Sequence, residues 1–367
     1  MLDLFQPHMP KNLEGLEGIL RSGKLSGGAH VKGFERAVGG FLGCDNVLAV
    51  NSFNSAWYIA LRALGLEPGD EVILSPVACL ASALPLVAFG QRIVWADVDV
   101  KTGTLDPQDV ERTIQAHPHV KAIAHNHFCG YPGRVDDILD VASRYGVAVI
   151  DDGIEAFGSR YKDRPIGSAG ADATVFSLGP VRMPNTIEGG IICFAHTDVY
   201  EKALLLRDCG VDRQRFRDDL SEIDPRCDIE FPGIAACMNE AAGFLGERQM
   251  EELPRLIRQQ HQNAKLLHEA CEVAGVDTLG RREIDPNYWV FGTIVENKRA
   301  AIVRLREAGY SVSGVHADLS DYSVFGLPQR RLPGAASFTA SHLALPCGWW
   351  IADLENDDKL QRALQSI

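Results

Sequence analysis

Polar residues follow several apolar segments of this 367-residue sequence, at positions where a sheet edge could gather them. The stretch Asn51–Ser55 (NSFNS) separates the apolar segment NVLAV from a helical pattern. Its hydroxyl and amide groups, together with the free N–H groups of a helix N-terminus, are suited to holding a phosphate. The same residue types are also ordinary helix N-caps, and this structural interpretation is the commoner one.

Two histidines and three acids form a second group of candidates. His125 and His127 are two residues apart, so they lie on one face of an expected strand, where structural histidines are commoner than metal ligands. Asp151 and Asp152 follow the segment VAVI, and Glu155 comes three residues later. Adjacent strand residues point to opposite faces, so we expect one acid to face a site and the other to cap the following turn. A paired general acid and base is therefore not implied.

A single cation, Arg182, stands in the loop of the otherwise apolar stretch VFSLGPVRMPNTIEGGIICF. A guanidinium stays protonated at neutral pH and offers no lone pair for attack on a carbonyl group. Arg182 is therefore suited to binding an anion and not to nucleophilic catalysis.

The elements that would position these residues follow a regular rhythm. Short apolar segments alternate with amphipathic ones, from NVLAV through DEVILSP, RIVWADV, VKAIAHNH, VAVIDDG and ATVFSLG to GGIICF. This alternation predicts a mostly parallel sheet covered on both faces, with functional loops at the carboxyl ends of its strands. A long helical pattern follows, MNEAAGFLGERQMEELPRLIRQQHQNAKLLHEACEVAG, which we expect to be broken at Pro254 and to bridge two domains. We predict a large domain at 1–245 and a small α/β domain at 246–367.

Composition excludes several classes of function. The formal net charge is −13, and no basic cluster with interleaved aromatic residues is present, so nucleic acid is not an expected partner. No apolar run is long enough to span a bilayer and the first residues lack a secretory pattern, so we expect no membrane partner and a cytoplasmic location. The nine cysteines are scattered without CxxC or Cys/His spacing, which favours packed, reduced thiols and predicts no metal.

In order and spacing, these motifs resemble the DegT/DnrJ/EryC1/StrS family, the nucleotide-sugar aminotransferases of pyridoxal phosphate (PLP) fold type I. The resemblance rests on GFERAVGGFLGCDNVLAVNSFNSAWYIALRALGLEPGDEVILSP, HNHFCGYPGRVDDILDVASRYGVAVIDDGIEAFGS, FSLGPVRMPNTIEGG, RDCG and MNEAAGFLGERQM. It implies an α/β, aspartate aminotransferase-like large domain with a mostly parallel seven-stranded sheet and an N-terminal arm, plus a small C-terminal α/β domain. It also implies a nucleotide-sugar ligand and a homodimer with sites at the subunit interface.

The resemblance further implies which positions contact the cofactor. Asp152 matches the aspartate that pairs with the pyridine nitrogen and keeps it protonated, so that the ring can accept electrons. Glu155 matches a position near the ring substituents, and His127 matches a histidine beside the cofactor. The positions that match the cofactor's phosphate site are Ser177, Asn54 and Ser55.

Several positions depart from the family pattern. Arg182 stands where the family has the lysine that forms the internal Schiff base, so we expect no covalent anchoring of PLP. Phe53 replaces a small glycine of the phosphate loop, and Leu80 replaces the aromatic residue that stacks on the ring. Asn54 and Cys237 also differ from the family's usual residues. Together these changes predict weakened or altered cofactor binding.

Three functions remain open at this point. The first is an enzyme that acts on a nucleotide-activated sugar with non-covalent PLP or pyridoxamine phosphate (PMP), using His127 as a base or Arg182 as a cation for a phosphate or sugar oxygen. The second is a catalytically inactive homologue, without a cofactor, that binds a sugar nucleotide or forms a heterodimer with an active paralogue. The third is an ordinary PLP-dependent aminotransferase whose lysine was changed by mutagenesis, which the changes at Phe53, Leu80 and Cys237 argue against.

Overall fold

The computed structural model describes residues 1–326, 328, 330–351, 354 and 358–367. Its strands are β1 (Asn46–Val50), β2 (Glu71–Leu74), β3 (Arg92–Trp95), β4 (Val120–Asn126), β5 (Ala148–Asp152), β6 (Arg160–Tyr161), β7 (Arg164–Pro165), β8 (Ala173–Ser177), β9 (Gly190–Phe194), β10 (Asp277–Thr278), β11 (Ile284–Asp285), β12 (Phe291–Ile294) and β13 (His342–Leu345).

The α-helices cover both the segments between these strands and the C-terminal part. They are α1 (Leu16–Arg21), α2 (Ala29–Leu42), α3 (Phe53–Ala63), α4 (Leu80–Ala88), α5 (Pro107–Ala116), α6 (Val135–Tyr145), α7 (Thr197–Arg207), α8 (Glu240–Ala274), α9 (Lys298–Glu307), α10 (Pro333–Ser341) and α11 (Asp358–Leu364). No helix of the described residues is both long enough and apolar enough to cross a bilayer.

The main sheet has seven strands in the order β1-β9-β8-β5-β4-β2-β3. The pairs from β8 through β5, β4 and β2 to β3 are parallel, whereas β9 runs antiparallel to both of its neighbours, β8 and β1. The predicted α/β class with a mostly parallel seven-stranded sheet is confirmed. Because the parallel strands end at the same edge, the residues that follow β1, β2, β4, β5 and β8 meet there.

Both faces of the main sheet are buried. Successive strand residues point to opposite sides, so each strand contributes side chains to both faces. In β1, Leu48 and Val50 join the apolar cluster on the side of α3, whereas Val47 and Ala49 join the cluster on the side of α2. Burying one such aliphatic side chain contributes roughly 1.5–3 kcal/mol. The sheet edge that gathers the polar residues is therefore held between two packed layers.

Helix α8 runs from Glu240 to Ala274 without ending at Pro254, so the break expected there does not occur. It begins at Asn239, whose side chain accepts the N–H of Ala242, and it ends at Gly275 in the left-handed conformation. Its first half packs in the cluster beside α2, and its second half packs in a separate cluster with Phe291 and Leu305. Packing on both sides offsets the hydrogen bond lost at the proline. The division at 245/246 stays a prediction.

The C-terminal part contains a three-stranded antiparallel sheet in the order β10-β12-β13. Helices α8, α9 and α11 pack against this part through a single apolar cluster. The small α/β unit predicted from the sequence is therefore present.

Candidate functional site

The residues that follow β2, β4 and β5 surround a small cavity at the carboxyl edge of the main sheet. Its volume is about 10 Å³, and it is lined by Ala78, Cys79, Asn126, His127, Phe128, Asp152, Ile154, Glu155 and His316. His316 comes from the C-terminal part of the chain, so the cavity is closed only by the tertiary fold. Three of the predicted site residues, His127, Asp152 and Glu155, meet here.

Glu155 is the centre of the polar contacts around the cavity. Its Oε1 lies 2.9 Å from Nε2 of His316 and 3.4 Å from Nη2 of Arg182, and its Oε2 accepts the backbone N–H of Cys129 at 2.9 Å. Burial favours a higher pKa for Glu155, but His316, Arg182 and the Cys129 N–H together hold the pKa below its usual value. The carboxyl group is therefore ionised although its side chain is only 2% exposed.

Arg182 is held by an aromatic residue as well as by an acid. Its Cζ lies 4.3 Å from the ring centroid of Trp289, and the Trp289 indole N–H donates to the carbonyl of Val181 at 2.8 Å. Phe5 of the N-terminal segment stacks on Trp289 with 4.5 Å between ring centroids. The Arg182 side chain is 11% exposed, and its buried Nη1 has no hydrogen-bond partner among the described residues. Arg182 is thus a fixed cation, and one of its guanidinium nitrogens, Nη1, remains available to donate a hydrogen bond.

Asp152 faces the cavity, as its predicted role requires. Burial raises the pKa of Asp152 to about 6, and the charge of Glu155 adds to this increase. The Oδ1 atom also accepts the N–H of Ile154 at 3.3 Å, so Asp152 itself caps the turn that follows β5.

Asp151 does not cap that turn, which corrects the expectation that the acid facing away from the site would do so. Its carboxylate lies on the opposite face of β5, 2.9 Å from Nδ1 of His125 and 3.4 Å from Nε2 of His127. Burial favours a higher pKa for Asp151, but His127 and His125 hold the pKa far below its usual value. The three side chains form a buried structural group, because strand alternation sends Asp151 away from the cavity.

Both ring nitrogens of His127 face other protein groups, Gly133 and Asp151. Its Nδ1 accepts the N–H of Gly133 at 3.1 Å, so in the neutral ring the proton lies on Nε2, which faces Asp151. This orientation does not favour the predicted role of His127 as a general base, and that role stays a prediction.

The remaining predicted cofactor contacts do not line the cavity. Ser52 caps α3 by accepting the N–H of Ser55 at 3.0 Å, and the Ser55 hydroxyl donates to Oδ1 of Asn51 at 2.8 Å. Ser177 accepts the N–H of Gly179 at 3.3 Å. Asn54 and Leu80 are exposed. The hydroxyl groups therefore satisfy local backbone and side-chain groups, and their predicted role in phosphate binding stays a prediction.

The space at the site does not fit the cofactor that the resemblance implies. A cavity of about 10 Å³ is about the minimum for one water molecule. Phe53 is buried beside the strand end, and Glu155 contacts both His316 and Arg182 across the site. A ring could enter only if these side chains moved, although Asp152, the acid predicted to pair with its nitrogen, does line the cavity.

Sequence reasoning missed four residues that build this site: Cys79, Cys129, Trp289 and His316. His316 contacts Glu155 across 161 residues, and Trp289 contacts Val181 across 108 residues. No local pattern marks such contacts, because they depend on how the C-terminal part packs against the sheet edge. The HxD spacing of the segment HADLSDY was the only chemical signal near His316.

Comparisons with known proteins agree with this fold over almost the whole chain. The model of the DegT/DnrJ/EryC1/StrS aminotransferase family matches residues 9–361. The spore coat polysaccharide biosynthesis protein SpsC of Bacillus subtilis (strain 168) is 29% identical over 364 residues, which cover 96% of this chain and 93% of that protein. The dTDP-3-amino-3,4,6-trideoxy-alpha-D-glucose transaminase of Streptomyces venezuelae is 32% identical over 211 residues, 57% of this chain and 55% of that enzyme.

A solved structure gives the same result at the level of the fold. The sugar aminotransferase CalS13 from Micromonospora echinospora superimposes with a TM-score of 0.91 and 26% sequence identity, and the match covers 100% of both chains.

Proposed function

Because this chain belongs to the DegT/DnrJ/EryC1/StrS aminotransferase family, we propose that it recognises a nucleotide-activated sugar but does not transaminate through an internal Schiff base. The similarity to a sugar-nucleotide transaminase and to a polysaccharide biosynthesis protein supports this substrate class. Cofactor use is non-covalent at most, with PLP or PMP. The expected assembly is a homodimer, with a heterodimer with an active paralogue as the alternative.

The placement of Arg182 is the observation that carries this proposal. Its guanidinium is 3.4 Å from Glu155 and stacked on Trp289, and a guanidinium cannot attack an aldehyde. The residues that line the cavity include no lysine among the described part of the chain. The spare Nη1 donor of Arg182 is suited to an anionic group such as a phosphate of the ligand.

The size of the cavity favours a second candidate, a catalytically inactive homologue that uses no cofactor. A site of about 10 Å³ has no space for a cofactor ring unless Glu155, His316 and Arg182 separate. The third possibility, an ordinary aminotransferase disabled by a lysine replacement, is the least supported, because a single replacement would not also change the residues at Phe53, Leu80 and Cys237.

The binding test uses the full-length protein and titration calorimetry with UDP-, dTDP- and GDP-sugars. We expect at least one of them to bind, and we expect an Arg182→Gln variant to bind it at least tenfold more weakly, since a charge-assisted hydrogen bond is lost, which contributes about 1.5–3 kcal/mol. A Lys162→Gln variant, whose cation pairs with Asp136 at the surface, is the matched control. The absence of binding to every sugar nucleotide would contradict the proposed substrate class.

The cofactor test separates the two candidates. PLP is added to the wild type and to an Arg182→Lys variant, and the absorbance of a protein-bound aldimine is followed before and after borohydride. We expect no reducible adduct in the wild type. A reversible change with PLP or PMP that Asp152→Ala abolishes supports the enzyme, whereas the absence of binding in both proteins supports the inactive homologue. A reducible adduct at a lysine of the wild type would overturn the proposal.

A further inference from the structure

Three potential metal ligands from distant parts of the chain surround the 10 Å³ cavity: Cys79, Glu155 and His316. We propose that they bind a divalent transition-metal ion of the zinc type. This inference goes beyond the proposed function and does not depend on it, because it rests on the ligand atoms of the cavity alone. It also departs from the sequence-based expectation of no metal, which considered only the local spacing of cysteine and histidine.

The ligand atoms are close enough to share one ion. The thiol sulfur, a carboxylate oxygen and an imidazole nitrogen all lie within 4.8 Å of one another, and Oε1 of Glu155 is 2.9 Å from Nε2 of His316. Tetrahedral zinc holds its ligands at about 2.0–2.3 Å, which places neighbouring ligand atoms roughly 3.3–3.8 Å apart. Side-chain rotations that change these separations by about 1 Å would bring the three atoms to zinc distances.

Each ligand is held by its surroundings. Cys79 is the residue that precedes the first turn of α4, and its side chain makes no capping hydrogen bond there. Glu155 is oriented through Oε2 by the Cys129 N–H, and an ion would replace the contact between its Oε1 and Nε2 of His316. The ring of His316 packs edge-on against Phe128 at 5.8 Å. Fixed ligands of this kind raise metal affinity because less freedom is lost on binding.

The charges of the cavity are compatible with a divalent ion. A cysteine loses its thiol proton when it coordinates zinc, so Cys79 and the carboxylate of Glu155 would then neutralise two positive charges. Cys, His and carboxylate ligands form the set that zinc prefers, and three protein ligands leave the fourth position open to water. The cavity of about 10 Å³ is of the size of that one water molecule.

The neighbouring group of His125, His127 and Asp151 has similar residue types but is a weaker candidate. His127 accepts the Gly133 N–H at Nδ1, so Nε2 carries the proton and has no lone pair for a metal. The side chains of this group are at most 1% exposed, which leaves no path for an ion. The metal test can therefore assign binding to the cavity of Cys79.

Cobalt(II) is the probe, because a bound thiolate gives it an intense near-ultraviolet charge-transfer band and a tetrahedral site gives visible bands. The full-length protein is stripped with a chelator and titrated with cobalt chloride, without sugar or cofactor. We expect both sets of bands, saturation at one ion per chain and their loss when zinc is added. The zinc content of the purified protein, measured by mass spectrometry, should also approach one ion per chain.

Ligand variants locate the site. Cys79→Ser should abolish the charge-transfer band, and His316→Ala should weaken cobalt binding at least 100-fold, whereas Cys237→Ser, a partly exposed cysteine outside the cavity, should bind as the wild type does. The absence of a thiolate band in the folded wild type would overturn the proposal, as would a band that persists in Cys79→Ser. The wild-type titration does not depend on any variant, so the proposal can be overturned even if a variant fails to fold. Failure here would leave sugar-nucleotide binding untouched, since that test contains no metal.

Discussion

At the scale of single residues, Arg182 and Asp152 carry the unusual electrostatics of the site. The Arg182 guanidinium contacts Glu155 and the Trp289 ring, so its position is fixed by the structure and it is not a loose surface cation. Asp152 is 1% exposed, its Oδ1 accepts the N–H of Ile154, and no arginine or lysine of the described residues forms an ion pair with it. In the family pattern, a protonated pyridine nitrogen would supply the missing charge.

The raised pKa of Asp152 predicts a measurable cost to stability. Its folded-state pKa of about 6 lies above the ordinary value of 3.8, so the folded state keeps a proton that the unfolded state releases, and stability falls as the pH rises through this window. Above it the cost is on the order of 2–3 kcal/mol. We expect Asp152→Asn to be more stable than the wild type by about this amount at pH 7–8 and equal to it near pH 4.

Urea unfolding at several pH values checks this prediction. Asp140→Asn, which removes an acid whose side chain is 73% exposed, serves as the control and should show no such pH-dependent gain. A stability difference between Asp152→Asn and the wild type that stays constant from pH 4 to pH 8 would contradict the assigned cause.

At the scale of elements, the ends of β4 and β5 separate two kinds of polar group. Strand alternation sends Asp152 into the cavity and Asp151 to the other face, where it meets His125 and His127. The loop between β4 and α6 completes this second group, because Gly133 donates its N–H to His127 and lies against the His125 ring. The buried histidine group thus fixes the strand ends from behind the site.

Gly133→Ala tests how tightly this loop packs. An added Cβ would lie 2.2 Å from Nε2 of His125, so His125 or the loop must shift, and we expect a loss of about 1–3 kcal/mol in the free energy of unfolding. Gly40→Ala is the matched control. Gly40 lies on the exposed face of α2, and a Cβ added there would have no other atom within 4 Å. That variant should gain roughly 0.5–1 kcal/mol. Equal stability of Gly133→Ala and the wild type in chemical denaturation would disprove the close packing.

At the scale of the whole molecule, the N-terminal arm, residues 1–9, connects distant parts of the fold and packs against the Trp289 ring that contacts Arg182. Phe5 stacks on Trp289, and the carbonyl of His8 accepts hydrogen bonds from Asn185 at 2.6 Å and from Gln249 at 2.8 Å. The arm therefore joins the loop after β8, helix α8 and the segment before β12. The Trp289 ring, on which Arg182 stacks, is in turn packed against Phe5 of the arm.

Deletion of residues 1–9 should make Trp289 and the loop of Arg182 less ordered, because Phe5 no longer packs against the Trp289 ring. The lost aromatic burial and hydrogen bonds predict a decrease on the order of 3–5 kcal/mol in the free energy of unfolding. Hydrogen exchange followed by mass spectrometry should show faster exchange in residues 178–189, with residues 107–116 as the internal control. Unchanged exchange in 178–189 would mean that the arm does not order the loop of Arg182.

The strand and helix pattern was predictable because it depends on local periodicity. The apolar runs that became β1 to β5, β8 and β9 are short and end in polar residues, and the amphipathic stretches between them are long enough for helices. Pro254 was misjudged for the opposite reason, since burial on both halves of α8 outweighs the local preference of one residue. Local signals thus gave the elements, and tertiary packing corrected one of them.

The sequence by itself determined the α/β class, because the class follows from local periodicity. It also predicted the sheet edge of the site, and the family resemblance implied that Arg182 stands where a lysine is expected; both stay predictions. Only the tertiary structure decided that Glu155 joins Arg182 to His316, that Asp151 turns away from the site and that Cys79 lies close to Glu155 and His316. These relations depend on distances between residues far apart in the chain, and such distances are fixed by packing and not by local sequence.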